Sequence, residues 1–519
     1  MKNGIIQRRD FLKFSAALGT MCLSGCSAAS FLAKPDKKPN IIFILADDLG
    51  YGDVSCCNPG SKINTVHMDK IAAEGMLFTD AHSGSAVCTP TRYGVLSGRY
   101  SWRTHLQNGV FWGYQKALIT PDRLNVASLL KQNGYNTGCV GKWHIGWDWA
   151  LKDGYMPFDQ KDGPKPSDVD FTKPFTNGPT DIGFDYYYGI RASLDMHPYT
   201  FIENDHCVEL PTENKALYGN RKGPAGPNFK FIDVLPRFTE KAVGFIDQQA
   251  KQDEPFFLYL PLNSPHTPIA PSKEFQGKSG IGDYGDFVLQ TDDTIGQITA
   301  ALDRNGINDN TLIIVTSDNG CSPAANLKNL TKHGHDPNYI YRGYKADIYD
   351  GGHRIPFIAR WPGKVKAKTI CDDTICLTNL IATCADIVGT KLPDNAAEDS
   401  FSILPDLLGI ATEPTHEAVV HHSISGAFAI RQGKWKLELC PGSGGWSAPL
   451  PNQAKKQGLP PIQLYNIESD TEEKNNLYLQ HPEVVNRLTD LMQKYITNGR
   501  SRPGVIVKND TEILFYKNK

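Results

Sequence analysis

The chain alternates short apolar runs with longer stretches of helical periodicity, and four of the runs end abruptly in polar residues. Residues 41–46 are apolar throughout and lead into Asp47, Asp48, Gly50 and Gly52; residues 312–316 lead into Ser317, Asp318, Asn319 and Gly320. Residues 255–260 are followed by Asn263, Ser264, Pro265, His266 and Pro268, and residues 135–140 by Gly141, Lys142, Trp143 and His144. Short runs with little polar alternation predict strands buried on both faces, as in a parallel sheet. Helical patterns over residues 68–75, 125–133, 240–251 and 291–305 supply the crossovers that parallel strands need. The expected fold is α/β, a mostly parallel sheet sandwiched by helices. The four polar clusters then lie along the carboxyl-terminal edge, where open sheets of this kind place their sites.

Composition narrows the class. A chain of 519 residues with 40% hydrophobic content can build one large core and a smaller domain, and a formal net charge of -2 carries no nucleic-acid footprint. No internal repeat is visible, and nothing after the N-terminal segment approaches the roughly eighteen consecutive apolar residues of a membrane span. The Pro-bracketed shift over residues 405–414 divides a catalytic domain at 39–408 from a small C-terminal domain at 409–519. The latter is expected to form an antiparallel sheet with a helix over 482–496. Setting aside Cys22, Cys26 and Cys88 leaves nine of the twelve cysteines, scattered without paired metal spacing, so no disulfide map follows.

The N-terminus reads as an address. Arg8 and Arg9 precede a short apolar stretch in the manner of a twin-arginine signal, and Leu23-Ser24-Gly25-Cys26 resembles a lipobox. Residues 1–25 would be removed, Cys26 would carry lipid, and residues 26–38 would tether the protein to a bacterial cell-envelope membrane. It would then be a periplasmic or outer-membrane lipoprotein.

Asp47, Asp48, Asp318 and Asn319 offer only hard oxygen donors, which suit Ca²⁺ or Mg²⁺ and suit zinc poorly. Each cluster alone is ordinary turn chemistry; together they make a candidate cation site. The other organising stretch is Cys88-Thr89-Pro90-Thr91-Arg92, continuing to Ser97-Gly98-Arg99. Pro90 in a first turn places Cys88 at the positive end of a helix dipole, a place for an anion.

The spacing Cys88-x-Pro90-x-Arg92 resembles the signature of the type I sulfatases. In that family the cysteine is oxidised to formylglycine by a formylglycine-generating or anaerobic sulfatase-maturating enzyme. The resemblance implies an alkaline-phosphatase-like fold and a calcium ion held by Asp47, Asp48, Asp318, Asn319 and the modified Cys88. It implies that Arg92 steadies the aldehyde hydrate. Lys142 and His144 match the family's Gly-Lys-x-His segment, His266 its histidine before Thr-Pro, and Lys345 its later lysine. Asp350 stands where many relatives carry glutamate before Gly-Gly.

The implied reaction is covalent. One hydrate hydroxyl attacks sulfur while Lys142, Lys345 and the cation stabilise developing charge and His266 protonates the leaving alcohol; His144 then takes a proton from the second hydroxyl and sulfate is expelled. Two other readings are a formylglycine-dependent phosphate or phosphonate ester hydrolase and a non-catalytic envelope glycan-binding protein.

For the substrate, Ser193 resembles a sulfate-side contact of the family, and Asp195 with His197 combines an acceptor and a donor beside Tyr199, suited to sugar hydroxyls. His335 and Arg354, close in sequence to Lys345, would make the opposite wall polar. The expected substrate is a sulfated carbohydrate, with galactose or N-acetylgalactosamine units of host or algal glycans preferred.

Overall fold

In the computed structural model the described residues are 37–154, 163–216, 219 and 221–516. Five parallel strands form the centre in the order Thr311–Ser317, Asn40–Asp47, Phe256–Pro265, Asn136–Lys142 and Tyr186–Ile190. Antiparallel strands extend both sides, Phe357–Arg360 beside the first and Ile202–Glu203 beside the last. The second of these strands, Asn40–Asp47, is buried along its whole length. Its alternation divides the core, with Ile41, Phe43 and Leu45 in one apolar cluster and Ile42, Ile44 and Ala46 in the other. Residues of Val66–Glu74, Val234–Gln249 and Asp283–Arg304 join the second cluster; residues of Cys88–Ser97, Val126–Gln132 and Leu380–Val388 join the first. The sheet is therefore covered on both faces.

Two helices begin earlier than their periodicity predicts, at Val234 and Asp283. Pro236 lies in a first turn, where its missing N–H leaves no hydrogen bond unmade. In the other helix the apolar stripe is interrupted by buried polar residues that serve a neighbouring loop. Asp286 accepts from the backbone N–H groups of Gly277 and Ser279, both at 2.7 Å, and Gln290 from that of Ser272 at 2.8 Å.

The C-terminal region forms a four-stranded antiparallel sheet, Val419–His422, Phe428–Gln432, Trp435–Glu438 and Gln463–Asn466. Helix Pro482–Thr497 packs Leu488, Met492 and Tyr495 into one cluster with Phe428, Ile430 and Leu437. A buried polar seam ties this sheet to the large one. Lys436 Nζ donates to Asp350 at 2.9 Å and Glu473 at 2.6 Å, while Asp80 takes Arg354 at 2.6 Å, Arg431 at 2.7 Å and His82 at 2.8 Å. His353 stacks on His421 with ring centroids 3.9 Å apart.

Lys38–Lys519 forms one compact unit. Residues 1–36, with the expected export signal and Cys26, lie outside the described residues. Among those described, no helix is long and apolar enough to cross a membrane.

Candidate active site

Successive residues of a strand point to opposite faces, so Asp47 and Asp48 could not share a site at the end of a regular strand. Two local features bring them together. The pairing with Phe256–Pro265 shifts after Leu45, so that Asp47 lies opposite Pro265, and Asp48 turns out of the strand at φ 65°. Positive φ costs a non-glycine residue about 1–3 kcal/mol, a strain characteristic of functional turns. Ligand atoms of Asp47, Asp48 and His266 all lie within 4.8 Å of one another.

Cys88 is the first residue of helix Cys88–Ser97 and is buried. The helix ends at Gly98 with φ 64°, where an added Cβ would come within 2.4 Å of Ile381. One turn beyond Cys88, Arg92 donates through Nε and Nη2 to Asp318 Oδ2 at 3.1 and 2.8 Å, and through Nη1 to the Lys142 carbonyl at 2.9 Å. Lys142 Nζ reaches Asp47 Oδ2 and Lys345 Nζ reaches Asp48 Oδ1, both at 2.6 Å. Asn319 Nδ2 donates to Asp48 Oδ1 at 2.8 Å. The carboxyl ends of four strands and one helix N-terminus thus converge.

Three oxygens of this cluster, Asp47 Oδ1, Asp48 Oδ2 and Asn319 Oδ1, are buried and have no hydrogen-bond partner among the described residues. Buried acceptors left unpaired cost about 1–3 kcal/mol each, so three in one place call for a ligand. The electrostatics agree. Burial first, and then the neighbouring Asp47, push Asp318 up to about 7. Burial acts against the charge of Asp47 too, but Lys142, His266 and Arg92 hold it well below the ordinary carboxylate range. A hard divalent cation would relieve the repulsion between these acids and occupy the free oxygens, so the donor set fits Ca²⁺ or Mg²⁺. Burial also raises the Cys88 thiol, against the pull of Lys142 and Lys345.

The two histidines are set by their hydrogen bonds. His144, at φ 60°, contacts the Phe111 carbonyl through Nε2 at 2.8 Å. The carbonyl only accepts, so the proton sits on Nε2, and the buried, unpartnered Nδ1 keeps its lone pair. Burial first, then Lys142 and Arg92, depress His144 well below the usual histidine value. His266 donates from Nδ1 to the Thr267 carbonyl and turns Nε2 toward Asp48 Oδ2 at 3.7 Å. Burial and Lys345 lower it as well.

The remaining predicted residues divide. Ser193 is buried with Oγ unpartnered, and Asp195 keeps a buried, unpartnered Oδ1 while Arg221 holds its other oxygen. His197 accepts or donates at Nδ1 with the Tyr114 hydroxyl at 3.1 Å. His335 and Arg354 do not line the site and are corrected to structural roles. His335 Nε2 is bound to Asp53 Oδ1 at 2.9 Å and its Nδ1 accepts from the Lys62 backbone N–H at 3.2 Å, which leaves no nitrogen for a sugar. Arg354 spends its fork on Asp80, Asp350 and the Thr79 carbonyl in the seam. Nearness to Lys345 in sequence was a poor guide because these side chains are bonded elsewhere, His335 to Asp53 and Lys62 and Arg354 to Asp80 and Asp350.

Asn263 went unassigned by the sequence argument. It sits near the carboxyl end of Phe256–Pro265, buried, with both side-chain polar atoms unpartnered. Its place in the polar cluster that follows residues 255–260 was the available signal.

A family model described as Sulfatase matches residues 39–390. The chain is 36% identical to an N-acetylgalactosamine-6-O-sulfatase of Bacteroides thetaiotaomicron, over 92% of this chain and 98% of that one. It is 29% identical to human arylsulfatase A, over 88% of this chain and 86% of that one. A solved sulfatase structure from work on glycosaminoglycan metabolism in Bacteroides thetaiotaomicron superposes with a TM-score of 0.76 at 34% identity, covering 88% of this chain and 99% of that one. A second, solved with neocarrahexaose, gives a TM-score of 0.67 at 26% identity, covering 88% and 93%.

Proposed function

Because the chain belongs to the sulfatase family and is a sulfuric ester hydrolase, we propose that it removes 6-O-sulfate from N-acetylgalactosamine or galactose units of a larger glycan. The observation that carries the reading is the convergence of Cys88, at a helix N-terminus, with three unpaired buried oxygens, two lysines and two histidines. The N-acetylgalactosamine-6-O-sulfatase relative supports the choice of sugar.

The site is built for formylglycine at position 88, whose hydrate would supply an attacking hydroxyl and a second one for release. A calcium ion, held by Asp47, Asp48, Asp318 and Asn319 with residue 88, would polarise the sulfate oxygens. Around them the protein's own groups divide the work. Arg92 is locked between Asp318 and the Lys142 carbonyl, and so orients residue 88 one helical turn away. Lys142 and Lys345, already fixed on Asp47 and Asp48, present charge to the sulfate oxygens with no reorganisation at the moment of reaction. His144 has its proton committed to Phe111, so Nδ1 can only accept; it is the base for release. His266 is the acid, because an entering sulfate adds negative charge beside a ring that already faces Asp48 and so favours its protonated form.

Mass spectrometry of the Cys88 peptide, from protein made with a maturation enzyme, should show the aldehyde. Cys88→Ser made with a cysteine-type maturase alone should fold normally and release no sulfate. Full activity from unmodified cysteine or serine would sink the reading. A rate of phosphate release from the matched ester exceeding that of sulfate would favour the phosphate-hydrolase reading, and turnover of neither would favour the binder. We also propose the envelope location from Arg8, Arg9 and Cys26; Cys26→Ala should move the protein from the membrane to the soluble fraction.

A further inference from the structure

Trp112 and Arg221 come from segments 109 residues apart in sequence, and the fold lays the Arg221 guanidinium over the Trp112 ring, 5.0 Å from its centre. Both stay open to solvent, the indole residue at 50% and the arginine side chain at 42%. This tryptophan is anchored through its backbone. Its N–H donates to Gln115 Oε1 at 2.6 Å and its carbonyl accepts from buried Arg191 at 3.4 Å. The ring is thus presented to solvent from a fixed support, which lowers the ordering cost of binding.

Its position relative to the reacting centre follows from its neighbour. Phe111 bridges the two sides of the centre: its N–H donates to Thr89 Oγ1, next to Cys88, at 3.1 Å, and its carbonyl accepts from His144. Trp112 is one residue further out. Arg221 is brought there by the short hairpin Glu213–Ala216 and Lys222–Ala225. His197 holds the two segments together. A Cβ on Gly113 would lie 1.8 Å from the His197 carbonyl, and one on Gly223 would lie 2.2 Å from its ring, so both strands can approach only as glycine.

Arg221 is anchored to Asp195 through Nη1 alone, by its side chain and by the backbone carbonyl at 3.0 Å. Nε and Nη2 have no partner among the described residues. A guanidinium with a free edge, stacked on an aromatic face and beside the unpartnered Asp195 Oδ1, offers an apolar floor, an anion-binding edge and a hydroxyl acceptor.

We propose that Trp112, Arg221 and Asp195 form a subsite for the sugar next to the one that loses sulfate, and that it selects a neighbour bearing an anionic group, a carboxylate or a second sulfate ester. The assignment rests on the carbohydrate sulfatase reading and deepens it: the substrate is then an acidic glycan, and the monosaccharide is the poorer ligand.

The test uses the full chain as Cys88→Ser, which binds without turnover. It is titrated with 6-O-sulfated N-acetylgalactosamine alone and with disaccharides in which the neighbouring sugar is neutral, a uronic acid or O-sulfated; the same set is run with 6-O-sulfated galactose. An anionic neighbour should tighten Kd about ten-fold over the neutral one. Arg221→Gln and Trp112→Ala should each shrink that ratio to about two-fold or less, with Arg221→Lys retaining part of it. The uronic and sulfated arms tell which anion is read. Equal Kd for neutral and acidic disaccharides, or equal weakening of all ligands by both variants, overturns the subsite. Sulfate release by the wild type from the two monosaccharides is scored separately and decides the sugar: failure there with the ratio intact refutes the substrate reading, while turnover with a ratio of one refutes the subsite alone.

Discussion

Two buried polar clusters in this protein use the same residue types and come to opposite states. In the seam between the sheets, Lys436 finds Asp350 and Glu473, and Asp80 gathers Arg354, Arg431 and His82. In the centre around Cys88, Asp47, Asp48 and Asn319 each keep an oxygen with nothing to accept from. Charge density does not separate the two; satisfaction does. A network that closes on itself ties chain segments together, while one that stays open at a common point is shaped for something outside the chain. The seam is not perfectly closed, since His421 Nε2 and Glu438 Oε1 have no hydrogen-bond partner among the described residues, but the rest of its charges are paired.

The comparison breaks most sharply at Asp318. Asp318→Ala should lower turnover on the order of 10³-fold or more, because it removes both a proposed cation ligand and the partner of Arg92. Chelation of the wild type followed by calcium should restore activity and raise Tm. Recovery with zinc alone, calcium being inert, would mean that the hard-oxygen reading of the centre is wrong. In the seam, Lys436→Ala strands Asp350 and Glu473 and should cost about 3–5 kcal/mol in unfolding free energy, read by calorimetry or denaturant titration. Protein that remains folded should keep its KM; a stability change under about 1 kcal/mol would show the seam to be dispensable.

A smaller effect concerns pH. His82, His353 and His421 are each held below the ordinary histidine value, by burial first. Between that lower folded value and the unfolded value of about 6.5, the unfolded chain binds more protons, so stability is lost as pH falls below about 6.5. Tm should drop from pH 7 to pH 5, and His421→Gln should make the drop shallower. An unchanged slope would place the sensitivity elsewhere. The smallest expected effect is at the mouth: His197→Ala should reduce turnover of the sulfated sugar by about ten-fold and that of an artificial aryl sulfate less. Equal losses would show that His197 supports the whole centre.

Much of the centre was legible because parallel-sheet chemistry is written in short units. An apolar strand followed at once by Asp-Asp or Ser-Asp-Asn states both the element and the group it delivers, and Cys88 and Arg92 share one helix at a fixed turn. His335 and Arg354 were misjudged because no local pattern tells a buried histidine with two partners from one with a free nitrogen. Residues 283–290 were missed as helix because their polar side chains serve a loop that is distant from them in pattern though near in space.

By itself, then, the sequence determined the parallel core, its carboxyl-terminal edge and the residues gathered there, since hydrophobic period and local motif act within a few residues of the chain. Only the tertiary structure decided that Asp47 and Asp48 face one point, that the charges of the seam meet in pairs, and that Trp112 meets Arg221. Those outcomes depend on register, on a left-handed turn, on long-range ion pairs or on glycine clearance between segments 26 and 84 residues apart, and such contacts are settled by packing rather than by any signal that neighbours in sequence can carry.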